Sequence, residues 1–114
     1  LEQQDALRKK GIDAVIVYCV NDAAVMQAWA KDQKASVGLL KLMGDPYGSL
    51  TKALDMELTA EGPIGKGLVG RCKRFAMHVD KGVIKQIRIS EKPDDPAGDD
   101  DPSLTLADSM LELL

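Results

Sequence analysis

A chain of 114 residues is long enough for one small domain around one core, and its 45% apolar and 29% charged content is that of a globular protein rather than a disordered or fibrous one. Lys and Arg number 15 against 18 Asp and Glu, and the net charge of −3 argues against the excess basic footprint of a nucleic-acid binder. No apolar run approaches the ~20 residues of a transmembrane segment, and none reads as a signal peptide.

Residues 1–10 end in Arg8, Lys9 and Lys10, cations that suit the last turn of a helix, and Gly11 is a natural stop. No N-cap residue precedes them, so they read as the tail of a helix already under way and the chain as part of a longer polypeptide. Ile12 to Val20 is a nearly continuous β-branched run, the pattern of a strand buried on both faces in a parallel sheet. Asn21 and Asp22 supply capping oxygens for a helix with Val25, Met26 and Trp29 as its core stripe. Val37 to Met43 is a second strand, and Gly44 to Gly48 a turn by composition.

Ser49 is expected to cap a short helix carrying Leu50, Ala53 and Leu54. Glu57 to Gly70, rich in glycine and holding Pro63, reads as a loop that matches no phosphate-binding spacing. Two alternating segments over 72–89, joined by Asp80-Lys81-Gly82, form a hairpin whose mouth carries Arg71, Cys72, Lys73 and Arg74. Glu91 to Pro102 is an acidic, proline-broken, solvated loop without the ligand alternation of a calcium site. A closing helix starts at Ser103 or Thr105, with Leu106, Met110 and Leu113 on one stripe. The order α, β, α, β, α, β-hairpin, α implies an α/β sandwich with a parallel sheet and an antiparallel edge.

With the elements placed, the residues resemble a type II peroxiredoxin of the redoxin, thioredoxin-like superfamily. Val17 to Trp29 is similar to that family's strand, Val-Asn-Asp turn and Trp-containing helix. Gly44 to Leu54 is similar to its Asp-Pro-x-Gly-x-Phe-Thr-Lys-Ala-Leu segment, with Leu50 at the Phe position. Lys73 to Ala76 and Val79 to Ile84 match its late hairpin. The likeness covers essentially the whole chain, in order.

The resemblance implies a thiol peroxidase that reduces hydrogen peroxide and alkyl hydroperoxides. Its donor would be of the thioredoxin or glutaredoxin type, with no metal or flavin. The family's nucleophile is a cysteine in a Pro-x-x-x-Thr-x-x-Cys segment, which these residues do not contain, and residues 1–10 resemble the tail of the helix that follows it. Arg74 aligns with the family's active-site arginine. A resolving cysteine is expected in the loop before the last helix, near Leu104, and that loop has none.

Residues 1–114 are therefore expected to form a single incomplete redoxin domain, inactive as it stands. A central strand is expected to be missing between the segments at 12–20 and 72–79, leaving two half-sheets that the upstream half or a partner protein completes. The resemblance also implies a homodimer or larger complex. A second reading is a non-catalytic accessory subunit of such a complex.

A third reading makes Cys72, flanked by Arg71 and Lys73 and sharing a strand face with Arg74, a redox sensor. Its bland counterpart is a small residue entering a strand. For Arg74 the bland counterpart is a structural ion pair. Cys19 reads as a buried, inert thiol and His78, the lone histidine, as a hydrogen-bonded or exposed strand residue. Two cysteines far apart in expected strands favour a reducing intracellular compartment, cytosol or organelle.

Overall fold

The computed structural model describes residues 1–114. The chain is mixed α/β and divides into two compact units, Leu1–Asp55 and Met56–Leu114.

In the first unit, α1 (Gln4–Lys9) ends as its sequence dictates. Gly11 takes a φ of +85°, and the amides of Gly11 and Ile12 donate to the Arg8 and Leu7 carbonyls at 3.0 and 3.1 Å, satisfying the last turn. Strand β1 (Val15–Cys19) pairs in parallel with β2 (Leu40–Gly44), Val15 opposite Leu40 and Cys19 opposite Gly44. The crossover is α2 (Ala23–Asp32), capped by the Asp22 carboxylate, which accepts from the Val25 amide at 2.9 Å. Gln4 adds a tie across the unit, its Oε1 accepting from the Leu39 amide at 2.8 Å.

Three expectations are corrected here. The first strand covers 15–19 rather than 12–20, and Ile16 is 60% exposed, so the strand is not buried on both faces. The sheet has only two strands, and an apolar run alone cannot say how many layers will cover it. On α2 only Met26 is core, at 1% exposure, whereas Val25 and Trp29 are exposed at 47% and 42%. The second strand starts at Leu40, because Gly38 adopts φ +81° and Val37 lies in the solvent-exposed connection. Met26, Ala35 and Leu39 make the small apolar core.

Helix α3 (Ser49–Ala53) begins one residue earlier than a Ser49 cap would allow. Gly48 occupies the N-cap position, and the oxygens come from Asp45, whose carboxylate accepts from the Leu50 and Thr51 amides at 3.2 and 2.9 Å.

In the second unit, the stretch read as an unbroken loop contains α4 (Glu61–Gly65). Pro63 is buried there and sits in the first turn, where its missing N–H leaves no ladder bond unmade. The ends of this stretch are locked by an antiparallel bridge between Glu57 and Cys72. Leu58 N–H donates to the Arg71 carbonyl and Lys73 N–H to the Met56 carbonyl, both at 2.7 Å.

Strand β3 (Phe75–Asp80) then pairs antiparallel with β4 (Val83–Ile89), with a register shift after His78. The connection is the two-residue turn Lys81-Gly82, with φ of 52° and 79°, the left-handed pair that a tight hairpin requires. A 3₁₀ turn at Ser103–Thr105 and α5 (Ala107–Leu111) close the chain. The closing helix is shorter than its sequence stripe, and Leu106 is its exposed N-cap rather than an inward residue.

The C-terminal segment is tied to β4 through side chains. Thr105 Oγ1 donates to the Pro102 carbonyl at 3.0 Å, so it is Ser90 Oγ that donates to Thr105 Oγ1 at 3.1 Å. Arg88 Nη1 reaches the Ser109 carbonyl at 3.4 Å.

Candidate active site

Cys72 and Arg74 are the residues on which the sequence concentrates chemistry. Arg74 directly precedes β3, and its carbonyl accepts from Ser90 N–H at 2.9 Å, extending the β3–β4 ladder by one pair. The backbone under the guanidinium is thereby fixed. Arg74 Nη2 donates to Asp99 Oδ1 at 2.8 Å, and the arginine side chain keeps 45% of its surface open. A guanidinium has five N–H donors in a planar fork, so this contact leaves donors to offer a second anion. Beside it, Lys73 Nζ pairs with Glu91 Oε2 at 3.2 Å.

Cys72 sits outside β3, in the isolated bridge to Glu57, and residues 73 and 74 are not regular strand. Alternation along one strand therefore no longer places its thiol on the Arg74 face. Cys72 is half-buried. Cys19 is also half-buried rather than fully so, at the end of β1, where its carbonyl accepts from Asp45 N–H at 2.8 Å. His78 is a half-buried β3 residue opposite Gln86.

The acidic loop is built rather than merely solvated. Lys92 and Asp95 exchange two backbone hydrogen bonds of 3.0 Å. The Asp95 side chain, 9% exposed, turns inward and accepts from the amides of Asp100 and Asp101 at 3.3 and 3.1 Å. Gly98 has φ +69°, and a Cβ there would collide with the Ser90 carbonyl oxygen. Asp99 follows at once and meets Arg74.

Lys92 Nζ pairs with Asp101 Oδ2 at 2.8 Å. The hydrogen bond from Lys92, followed by those from the Ser103 hydroxyl and amide, pulls the Asp101 carboxyl down to about 2. The same contact with Asp101 raises the Lys92 ammonium above its ordinary value. The carboxylates of Asp95, Asp99 and Asp101 are thus engaged by backbone amides, a hydroxyl and cations of their own unit.

A second polar cluster lies in the first unit. Thr51, 1% exposed, donates its hydroxyl to Asp45 Oδ2 at 2.8 Å, and Tyr18 Oη lies 3.1 Å from Thr51 Oγ1. Because Thr51 gives its proton to Asp45, Tyr18 donates to Thr51. Burial pushes the Asp45 carboxyl up, but the hydrogen bonds from Thr51, Leu50 and Ser49 outweigh it and hold its pKa below the ordinary range. Every oxygen in the cluster has a partner, so its role is to cap α3 and fix β1 to it. A cleft of about 580 Å³ between α2 and β2 is lined mainly by apolar side chains, Met26, Ala30, Leu40 and Leu42 among them, with Gln27, Ser36 and Lys41 as its polar members.

Sequence reasoning placed Arg74 at the mouth but missed Asp99, its partner. The only signal was the alternation of a basic stretch and an acidic one.

The Redoxin family profile matches residues 1–105. Peroxiredoxin-2E, chloroplastic, of Arabidopsis thaliana is 40% identical over 86 residues, covering 75% of this chain and 36% of its own. Peroxiredoxin-2E-2, chloroplastic, of Oryza sativa subsp. japonica is 38% identical over 96 residues, covering 80% of this chain and 40% of its own. The structure of reduced Prx3 from Vibrio vulnificus in complex with hydrogen peroxide aligns with a TM-score of 0.78 at 32% identity, over 98% of this chain and 62% of that one. The chain thus spans less than half the length of these two plant relatives.

Proposed function

The chain belongs to the Redoxin family as a type II peroxiredoxin-like member with a thioredoxin-like fold, and from that premise we propose that it is the C-terminal part of a thiol peroxidase. The observation that carries the reading is Arg74: a backbone-pinned, half-open guanidinium in a chain matched to Redoxin over residues 1–105. The nucleophilic cysteine is assigned to polypeptide upstream of Leu1. Its thiolate attacks one peroxide oxygen, the O–O bond breaks, and the leaving oxygen departs with the bonding pair and takes a proton as water or alcohol. The sulfur becomes a sulfenic acid, and a dithiol donor supplies the two electrons that restore it. Arg74 stabilises the thiolate before attack and the negative charge on the leaving oxygen during it.

All four strands border open edges, because each sheet has only two strands. This supports assigning the completion of the sheet to the upstream half of the same polypeptide. It equally favours the second reading, in which a partner protein completes it and the chain is a non-catalytic accessory subunit.

The test is the native polypeptide itself, by intact mass, N-terminal sequence and peroxide consumption with a dithiol donor. The peroxidase reading requires an upstream Thr-x-x-Cys and a fall in kcat/KM of about 100-fold in Arg74→Gln, the loss typical of one removed oxyanion donor. A mature start at Leu1, or an Arg74→Gln variant of undiminished activity, overturns it.

A further inference from the structure

We propose that Asp99 is a positioning and tuning residue for Arg74: it aims the guanidinium and sets how much of its charge the reacting thiolate feels. This rests on the peroxidase reading for its catalytic part and on the loop geometry for its structural part.

Asp99 is not a loose surface carboxylate that happens to lie near an arginine. Its position is determined by three features that precede it or follow it. Ser90 N–H is bonded to the Arg74 carbonyl at 2.9 Å, so the strand ends carrying Arg74 and Ser90 are in register. Gly98 packs against the Ser90 carbonyl so closely that no side chain fits, in a φ of +69° that disfavours one anyway. The buried Asp95 carboxylate grips the amides of Asp100 and Asp101, holding the chain just beyond Asp99. The loop therefore delivers a carboxylate to within 2.8 Å of Arg74 Nη2 from a backbone braced on both sides.

Both side chains remain partly open to solvent, 45% for Arg74 and 72% for Asp99, so the pair adds little to folding stability. Its consequence is electrostatic. A guanidinium with a carboxylate on one edge presents a partly compensated charge and a fixed orientation to an anion on the other edge. Replacing Asp99 by the neutral isostere removes the compensation, and the field of Arg74 on a neighbouring thiol strengthens. The thiol's pKa then falls, and the fraction of reactive thiolate rises at pH values below it.

The test compares the native polypeptide with its Asp99→Asn variant, using Asp80→Asn at the far end of the hairpin as the control. The first measurement needs no activity: the rate at which phenylglyoxal modifies Arg74, read by peptide mass mapping. Release from Asp99 speeds modification by about threefold or more, and Asp80→Asn leaves it unchanged. An unchanged rate in Asp99→Asn overturns the inference whatever the enzyme does.

The second measurement is the pH profile of the first-order rate of peroxide consumption. Asp99→Asn shifts the thiol limb down by ~0.5 pH unit and raises kcat/KM below that limb about threefold. A profile superimposable on the parent's, beside an accelerated modification of Arg74, refutes the tuning role and reduces Asp99 to a structural contact. If the parent consumes no peroxide, it is the peroxidase reading that fails. The catalytic role of Asp99 falls with it, and the modification rates alone decide whether Asp99 holds Arg74.

Discussion

The Gly98→Ala substitution probes how firmly the acidic loop is built. The conformational part of its cost follows from φ +69°, where an L-residue with a Cβ is disfavoured by ~1–2 kcal/mol. The steric part follows from Ser90: the new Cβ would meet its carbonyl oxygen and come 2.8 Å from its Cβ, and relief needs the strand end or the loop to shift. Overpacking of this kind costs ~1–3 kcal/mol. Together they amount to ~2–5 kcal/mol of local stability.

Backbone hydrogen exchange at the Asp100 and Asp101 amides, both held by Asp95, reads the loop directly. At ~1.4 kcal/mol per tenfold, the amides are expected to exchange roughly 30 to 4,000 times faster, up to the limit set by their own protection. Gly67→Ala is the matched control in the same unit, since Gly67 has φ +84° with nothing within 4 Å of a Cβ. It carries the conformational cost alone, and leaves Asp100 and Asp101 protected. Unaltered protection of those two amides in Gly98→Ala would refute the claim that contact with Ser90 holds the loop.

Lys34 sits just past the end of α2 with φ 54°, and Lys34→Gly is expected to stabilise the first unit by ~0.5–1 kcal/mol, whereas Lys34→Ala brings no gain. Urea unfolding followed by Trp29, the sole tryptophan, decides between them. The Asp45 carboxyl has a folded pKa below its ordinary 3.8, so its contribution is fully present above that value and is lost as pH falls through the lowered one. The Trp29 signal should show stability declining below about pH 4, and Asp45→Asn should flatten that decline. A variant with the parent's full acid dependence would assign the effect to other carboxylates.

Features decided by local chemistry were legible in the sequence. Gly11 ending a helix, Asp22 capping the next and Lys81-Gly82 turning the hairpin each act within a few residues. The helix over 61–65 was hidden by its own composition, because glycine and proline signal a loop unless Pro63 falls in the first turn. Ser49 was a reasonable cap by type, but Asp45 reached the same amides from farther back and left Gly48 at the cap position. Val25 and Trp29 show the limit of periodicity, which identifies an apolar stripe without saying what covers it. The Arg74–Asp99 contact spans the whole hairpin and half the acidic loop, and no local pattern announces a partner at that separation.

The two sheets also differ in the chain length each must close. In the hairpin, Asp80 faces Val83 across two residues, and pairing spreads outward from the turn as a local event of ~1–10 μs. Val15 meets Leu40 only after all of α2 has formed and folded back, a loop-closure cost incurred before any parallel bond exists. The hairpin bearing Arg74 is thus expected to be the early-forming element, assembled before the parallel pair of the first unit.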